Sequence, residues 1–203
     1  MEIVENKRFE GVNEMKHLGT CRLETERLYL RKFKVSDATM VYENWSSDRE
    51  VTRYVAWPVH QNVNTTKRIL ANWESAYERL DIYQWAIVYR KNEQVIGSIS
   101  LYQFSRRGRR YNCELGYCLC KYYWNQGIMT EAATAVLQFA FEQLGVDTVI
   151  AKHDVRNPAS GRVMKKIGMH HDRLVTRAVL NGHREWVDCD TYVIQKDDFL
   201  TAK

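Results

Sequence analysis

At 203 residues the chain is long enough for one well-cored domain and short for two, with only Pro58 and Pro158 and no Ser/Gly-rich linker. Its net charge of +5 suits an anionic ligand and, without a concentrated patch, argues against nucleic acid. No apolar run is long enough to cross a membrane, the N-terminus MEIVENKRFEG lacks the apolar core of a signal peptide, and five cysteines, an odd number, point away from a disulfide framework and toward a reducing, cytoplasmic setting.

Residues 1–20 show no firm hydrophobic period and are read as an N-terminal extension to a domain spanning 21–203. Leu23–Phe33 carries Leu28, Tyr29 and Leu30 in a β-type run. Ser36 and Asp37 offer N-caps for a helix with Val41 and Trp45 on one face. Asp48–Trp57 is short and mixed. Asn64 or Thr65 is predicted to cap a second helix reaching about Leu80, with Ile69, Trp73, Ala76 and Leu80 as its buried stripe. The pattern then changes. Tyr83–Tyr89, Gln94–Phe104 and Tyr111–Cys120 read as an antiparallel meander, with Arg106, Arg107, Arg109 and Arg110 at a solvated hairpin tip.

Ile128–Leu144 has a helical apolar period (Met129, Ala133, Val136, Ala140, Leu144) and Gly145 as its stop. Thr148–His153 is a short strand. Strand, helix, strand in this order predicts a parallel pair with a right-handed crossover. Asn157 caps the next helix, Pro158 fits its first position, Val163, Met164 and Ile167 face inward, and Gly168 closes it. The end reads as a hairpin, Leu174–Leu180 and Glu185–Gln195, turned at Asn181-Gly182.

The chemistry concentrates in Glu114–Glu131, ELGYCLCKYYWNQGIMTE. A strand gives way to a polar link, then Gly127, then a helix. The first N–H groups of a helix have no internal partner, and its dipole favours negative charge there. A glycine at that point lets a ligand approach the main chain. Residues Asn125–Thr130 are therefore a candidate phosphate or pyrophosphate site. The segment is neither a Walker loop nor a GxGxxG fingerprint. Taken alone, it also fits an ordinary strand-to-helix turn.

The pattern GYxLxxxYWxxGxxTEA resembles the acyl-CoA motif of the GNAT superfamily of N-acetyltransferases, in the ribosomal-protein N-acetyltransferase-like branch. NPASGRVMKKIGM (Asn157–Met169) resembles that branch's Asn-x-x-Ser…Lys-x-Gly segment, and LETERLYLRKFKVSDA (Leu23–Ala38) its opening strand and first helix. The three segments stand in order over Leu23 to about Ile194. Asn125 departs from the branch, which usually has Gly there, as do Ile128 and Met129, which replace Tyr and Ala. Asn tolerates left-handed backbone better than most residues. The resemblance implies an α/β fold: a mixed, mostly antiparallel sheet of about seven strands flanked by about four helices, with splayed central strands.

It also implies acetyl-CoA as acyl donor and direct attack by an amine. The acceptor would be a protein N-terminus, such as that of a ribosomal protein, or a small amine, and the chain a monomer or homodimer. By resemblance the thioester carbonyl would accept from a backbone N–H near Cys118, Leu119 and Cys120. The pyrophosphate would sit on the N–H groups of Gln126, Gly127, Ile128, Met129 and Thr130 in the loop begun by Asn125. Asn157 would bond the pantetheine amides, and Arg162 would lie near the nucleotide. Ser160 is the family position nearest the leaving sulfur and the candidate proton donor; first-turn helix support is its other reading. Glu114 is the candidate base, acting through water, or else a satisfied cross-strand partner.

Cys118 and Cys120 share a strand face and read as small buried hydrophobes, with no ligand set around them for a metal. His170 and His171 point to opposite faces, which argues against joint metal binding. Tyr54, Trp57 and Trp45 form either an aromatic rim for an amine or part of the core. A CoA-binding sensor or partner-binding module without catalysis remains a second reading, and RNA association through Arg106–Arg110 a third.

Overall fold

The computed structural model describes residues 15–201. The first fourteen residues of the expected extension lie outside the described residues. Its last part runs against the domain: Lys16 N donates to Leu144 O at 3.0 Å and Gly19 N to Leu80 O at 2.8 Å.

One sheet holds β1 (Leu23–Glu24), β2 (Leu28–Arg31), β3 (Tyr83–Tyr89), β4 (Gln94–Arg107), β5 (Arg110–Leu119), β6 (Thr148–Asp154), β7 (His170–Leu180) and β8 (Trp186–Gln195). Its order is β1-β2-β3-β4-β5-β6-β8-β7. The pair β5·β6 is parallel, as the strand–helix–strand order predicts, and the other pairs are antiparallel. Eight strands replace the expected seven because the opening run breaks at a tight turn, where Thr25 N bonds Leu28 O at 3.0 Å and lets β1 fold back on β2.

Five α-helices are present among the described residues: α1 (Ala38–Val41), α2 (Val63–Ala76), α3 (Ile128–Gln138), α4 (Pro158–Lys166) and α5 (Lys196–Thr201). The last was not expected from sequence. Helix α3 continues as a π-helical turn to Leu144 before Gly145 ends it. Along it Ile128, Met129, Ala132, Ala133, Val136 and Leu137 are buried. The alanines let the helix lie close to the sheet, and each buried Val or Leu contributes roughly 1.5–3 kcal/mol.

Two local readings are corrected. Helix α2 is capped by Asn62, not Asn64 or Thr65: Asn62 Oδ1 accepts from Thr65 N at 3.0 Å. It stops at Ala76, and Leu80 is exposed. The fully buried residues are Thr66 and Leu70; Ile69 and Trp73 are half-buried and line a cavity, with Trp73 also packed on the core ring of Phe33, centroids 5.0 Å apart. The terminal hairpin begins at His170 and not Leu174, and Leu180 pairs with Trp186, so the loop opened by Asn181-Gly182 runs through residue 185, one residue longer than the expected strands left. Tertiary contact explains this. Gly182 N donates to Val55 O at 2.9 Å, and a Cβ on Gly182 would stand 2.1 Å from Trp57 O.

The sheet is split at its centre. Strands β5 and β6 pair only from Asn112–Leu115 to Thr148–Ala151. Beyond that, β5 runs to Leu119 and β6 to Asp154 without touching. The gap opens at the C-terminal ends of a parallel pair, where ligands commonly bind in α/β sheets.

Candidate active site

Two cavities converge on this gap. One, of about 480 Å³, lies along β5, the start of α3 and the start of α4. The other, of about 560 Å³, lies over the sheet and is walled by the segment Val41–Ser46, α2 and the Tyr54–His60 loop. They share Tyr117, Cys118, Lys152, His153 and Asp154 on the sheet, and Tyr54 and Val55 on the facing loop.

The first cavity is built for an anion. Gly127 has φ 76° and stands as the N-cap of α3. Asn125 has φ 58°, so it takes the left-handed backbone that Asn tolerates. The amide of Glu131 returns to Gly127 O at 3.0 Å. The N–H groups of Ile128, Met129 and Thr130 precede it and have no acceptor among the described residues. Arg53, Lys152, Arg156, Arg162 and Lys166 line the same groove against only Glu50 and Asp154. The donors and the charge fit a diphosphate carrier.

A clamp behind the loop fixes it. Glu131 Oε1 accepts from Thr25 Oγ1 at 2.5 Å and Arg27 N at 2.8 Å, and Oε2 from Arg27 Nε at 2.7 Å. Arg27 Nη1 donates to Gln126 O at 2.9 Å. Burial alone would raise the Glu131 carboxyl, but the Thr25 hydroxyl and the Arg27 backbone and guanidinium outweigh it and hold it below its ordinary 4.5. Such a carboxylate stabilises the fold above the unfolded-state value and ceases to do so as pH falls through its lowered one. Glu131→Gln is therefore expected to cost about 1–3 kcal/mol at pH 7. Urea unfolding of both chains from pH 7 down to pH 3 checks this, and the difference between them should shrink below the ordinary carboxylate value.

The ladder decides which amides face the gap. Cys120 N donates to Ile96 O at 2.8 Å. The register Gly97↔Leu119 through Tyr102↔Glu114 is unbroken, so Cys118 also points its N–H at β4, while Tyr117 and Leu119 point theirs into the split. Of the three residues expected to supply the carbonyl donor, Leu119 is the one so oriented, and Tyr117 joins it. Cys120 and Gln126 do not line the groove; Cys118, Leu119, Asn125, Gly127, Ile128, Met129, Thr130, Asn157, Ser160 and Arg162 do.

Side chains alternate across β5, so Glu114 and Tyr117 stand on opposite faces. Glu114 lines only the second cavity and accepts from Lys152 Nζ at 2.7 Å. This is the cross-strand cation that the sequence allowed for. Ser160 lines only the first cavity. Its N–H faces Asn157 Oδ1 at 3.4 Å, so Asn157 caps α4 as expected. Its hydroxyl meets Tyr117 OH at 3.0 Å, and the same phenol donates to Ser160 O at 3.0 Å. Burial pushes the Tyr117 phenol up to about 12, so it keeps its proton at neutral pH.

Tyr117, Lys152 and Arg27 were missed as site residues. Tyr117 sits in the quoted motif and Arg27 in the opening LETERL, but only the fold brings them to Ser160 and Gly127. His153 was read as structural, and it is 8% exposed. Its Nδ1 donates to the Asp154 carbonyl at 2.8 Å, and its Nε2 has no hydrogen-bond partner. His171 instead bonds Asp190, and no cluster of metal-ligating side chains exists among the described residues. No described helix is long and apolar enough to cross a membrane.

Comparison with known proteins supplies the family. The acetyltransferase (GNAT) domain family matches residues 27–170. The putative ribosomal N-acetyltransferase YdaF of Bacillus subtilis strain 168 is 26% identical over 185 residues, covering 82% of this chain and 97% of YdaF. A GNAT-family acetyltransferase from Bacillus anthracis superposes with a TM-score of 0.74 at 26% identity, over 87% of this chain and 99% of its own. The microcin C7 self immunity acetyltransferase MccE, solved in complex with acetyl-CoA and AMP, superposes with a TM-score of 0.73 at 15% identity, over 84% of this chain and 93% of its own.

Proposed function

The chain belongs to the acetyltransferase (GNAT) domain family, and from that premise we propose that it transfers the acetyl group of acetyl-CoA directly to a primary amine. The observation that carries this reading is the meeting of two cavities at the split, with Ser160 on one side of β5 and Glu114 on the other. The cofactor groove takes the diphosphate on the amides of Ile128, Met129 and Thr130, with Arg162 and Lys166 alongside. Asn157 and Ser160 face the arm, and Leu119 N and Tyr117 N face the carbonyl that gains negative charge.

The amine enters from the other face. Its nitrogen forms the new bond to the acetyl carbon as the carbon–sulfur bond breaks. The nitrogen's proton leaves toward Glu114 through water, and the departing thiolate takes a proton from Ser160. A protein N-terminus and a small amine both satisfy this chemistry. Isothermal titration with acetyl-CoA, followed by thiol release over an amine panel, tests the reading. Tight binding with no turnover on any amine would favour the non-catalytic sensor.

Direct transfer needs no acyl-enzyme. Cys118 is the one thiol lining both cavities, and burial, with Cys120 nearby, raises it well above an ordinary thiol. It is a poor nucleophile at neutral pH. Cys118→Ala is expected to leave kcat within about threefold of the parent, the scale of a packing change and not of lost chemistry. A collapse in kcat, or an acetyl group found on Cys118 by mass spectrometry, would refute direct transfer.

A further inference from the structure

A main-chain bridge crosses the acceptor cavity. The β7–β8 loop crosses to the segment after Tyr54 and joins it main chain to main chain, through Gly182 N and Val55 O at 2.9 Å. Only the absence of a side chain lets Gly182 lie on the Trp57–Pro58 peptide. The loop is braced from within, since Asn181 Oδ1 accepts from His183 N and Glu185 N at 2.9 Å each, and Asn181 is 5% exposed. An extended peptide rises about 3.3 Å per residue and needs an open trough. The chamber's 560 Å³, crossed by this bridge, is instead the size of a small-molecule site, about 300–1,000 Å³.

Its walls name the ligand's body. Tyr54, Trp57, Trp73 and Tyr102 line it, with Trp45 buried at its inner edge, and flat aromatic bodies pair with such rings in offset or edge-on geometry. Burial lowers His60, which keeps this wall uncharged. At the sheet end stand Glu114, held by Lys152 Nζ at 2.7 Å, and, where the chamber meets the cofactor groove, Asp154, held by Arg156 Nη2 at 2.6 Å. Each carboxylate keeps acceptor lone pairs beyond its ion pair, so an amine's N–H groups find acceptors at that end while an aryl group stays among the rings. Resting on the transferase reading, we infer that the acceptor is a small arylalkyl primary amine and not a protein N-terminus.

The test is thiol release at saturating acetyl-CoA on phenethylamine, tryptamine and hexapeptides with free N-terminal Ala or Ser. The arylalkyl amines should exceed the peptides in kcat/KM by about 100-fold. Trp57→Ala, which touches the chamber and not the groove, should raise the tryptamine KM about tenfold with the acetyl-CoA Kd unchanged. Ile69→Ala, also on the chamber wall, carries the same test if the first variant does not fold. Peptides used as well as the amines, or better, overturn the inference and leave the transferase reading standing. Failure of acetyl-CoA to bind overturns the transferase reading, and direct titration of tryptamine, whose binding should weaken in both variants, still decides the chamber.

Discussion

Gly127→Asp is expected to keep its fold and lose acetyl-CoA. A Cβ at this position meets nothing nearer than Arg27 Nη2 at 3.5 Å, an ordinary contact, so there is room for a side chain. The left-handed φ of 76° costs a non-glycine residue roughly 1–2 kcal/mol. What the new carboxylate does to the ligand is larger. It would stand in front of the unpaired amides of Ile128, Met129 and Thr130, at the place where a diphosphate must come close. Two like charges about 5 Å apart at an effective dielectric near 20 repel by about 3 kcal/mol, or roughly 100-fold in Kd. Gly127→Ala carries the backbone strain without the charge and separates the two effects. Thermal melting should fall similarly in both variants, while titration calorimetry should show acetyl-CoA lost only in the Asp variant. Normal acetyl-CoA affinity in Gly127→Asp would move the diphosphate elsewhere.

What could be read in the sequence was whatever depends on neighbours along the chain. The apolar period of Ile128–Leu144, the Asn157 cap with Pro158 behind it, and the parallel pair around α3 are all local patterns with one physical solution. What could not be read depends on register through space. Lys152 reaches Glu114 because Glu114 pairs with Ile150, two residues before that lysine on the same face of β6. Nothing in either segment specifies that alignment. The Asn-Gly dipeptide shows how a strong local signal yields: the glycine serves a contact with Trp57, and the turn lengthens to reach it. Leu80 likewise fits the helical period but lies beyond the end of α2, where Tyr77 turns inward to bond Gln84 O at 2.7 Å. The acceptor chamber is assembled from all these long-range placements, so the amine was the least legible part of the site.

Ser160→Ala tests the other end of the reaction. The Ser160 hydroxyl meets Tyr117 OH at 3.0 Å, and that phenol also holds Ser160 O at 3.0 Å. Two bonds from one half-buried phenol fix the serine's orientation. Because burial keeps the phenol protonated up to about 12, the pair stays a donor throughout the range in which the enzyme is assayed. A thiolate leaving beside Ser160 takes the serine's proton. Removing that donor should lower kcat about 100-fold, the low end of general-acid catalysis. Acetyl-CoA affinity should hold, since the amides around Gly127 and the basic side chains are untouched. Tyr117→Phe keeps the ring and the packing but frees the serine to rotate, so it should cost less than Ser160→Ala. The double variant should be no slower than Ser160→Ala alone, because Tyr117 acts through the serine. Additive losses would make Tyr117 an independent donor, and an unchanged rate in Ser160→Ala would leave the thiolate to be protonated by water.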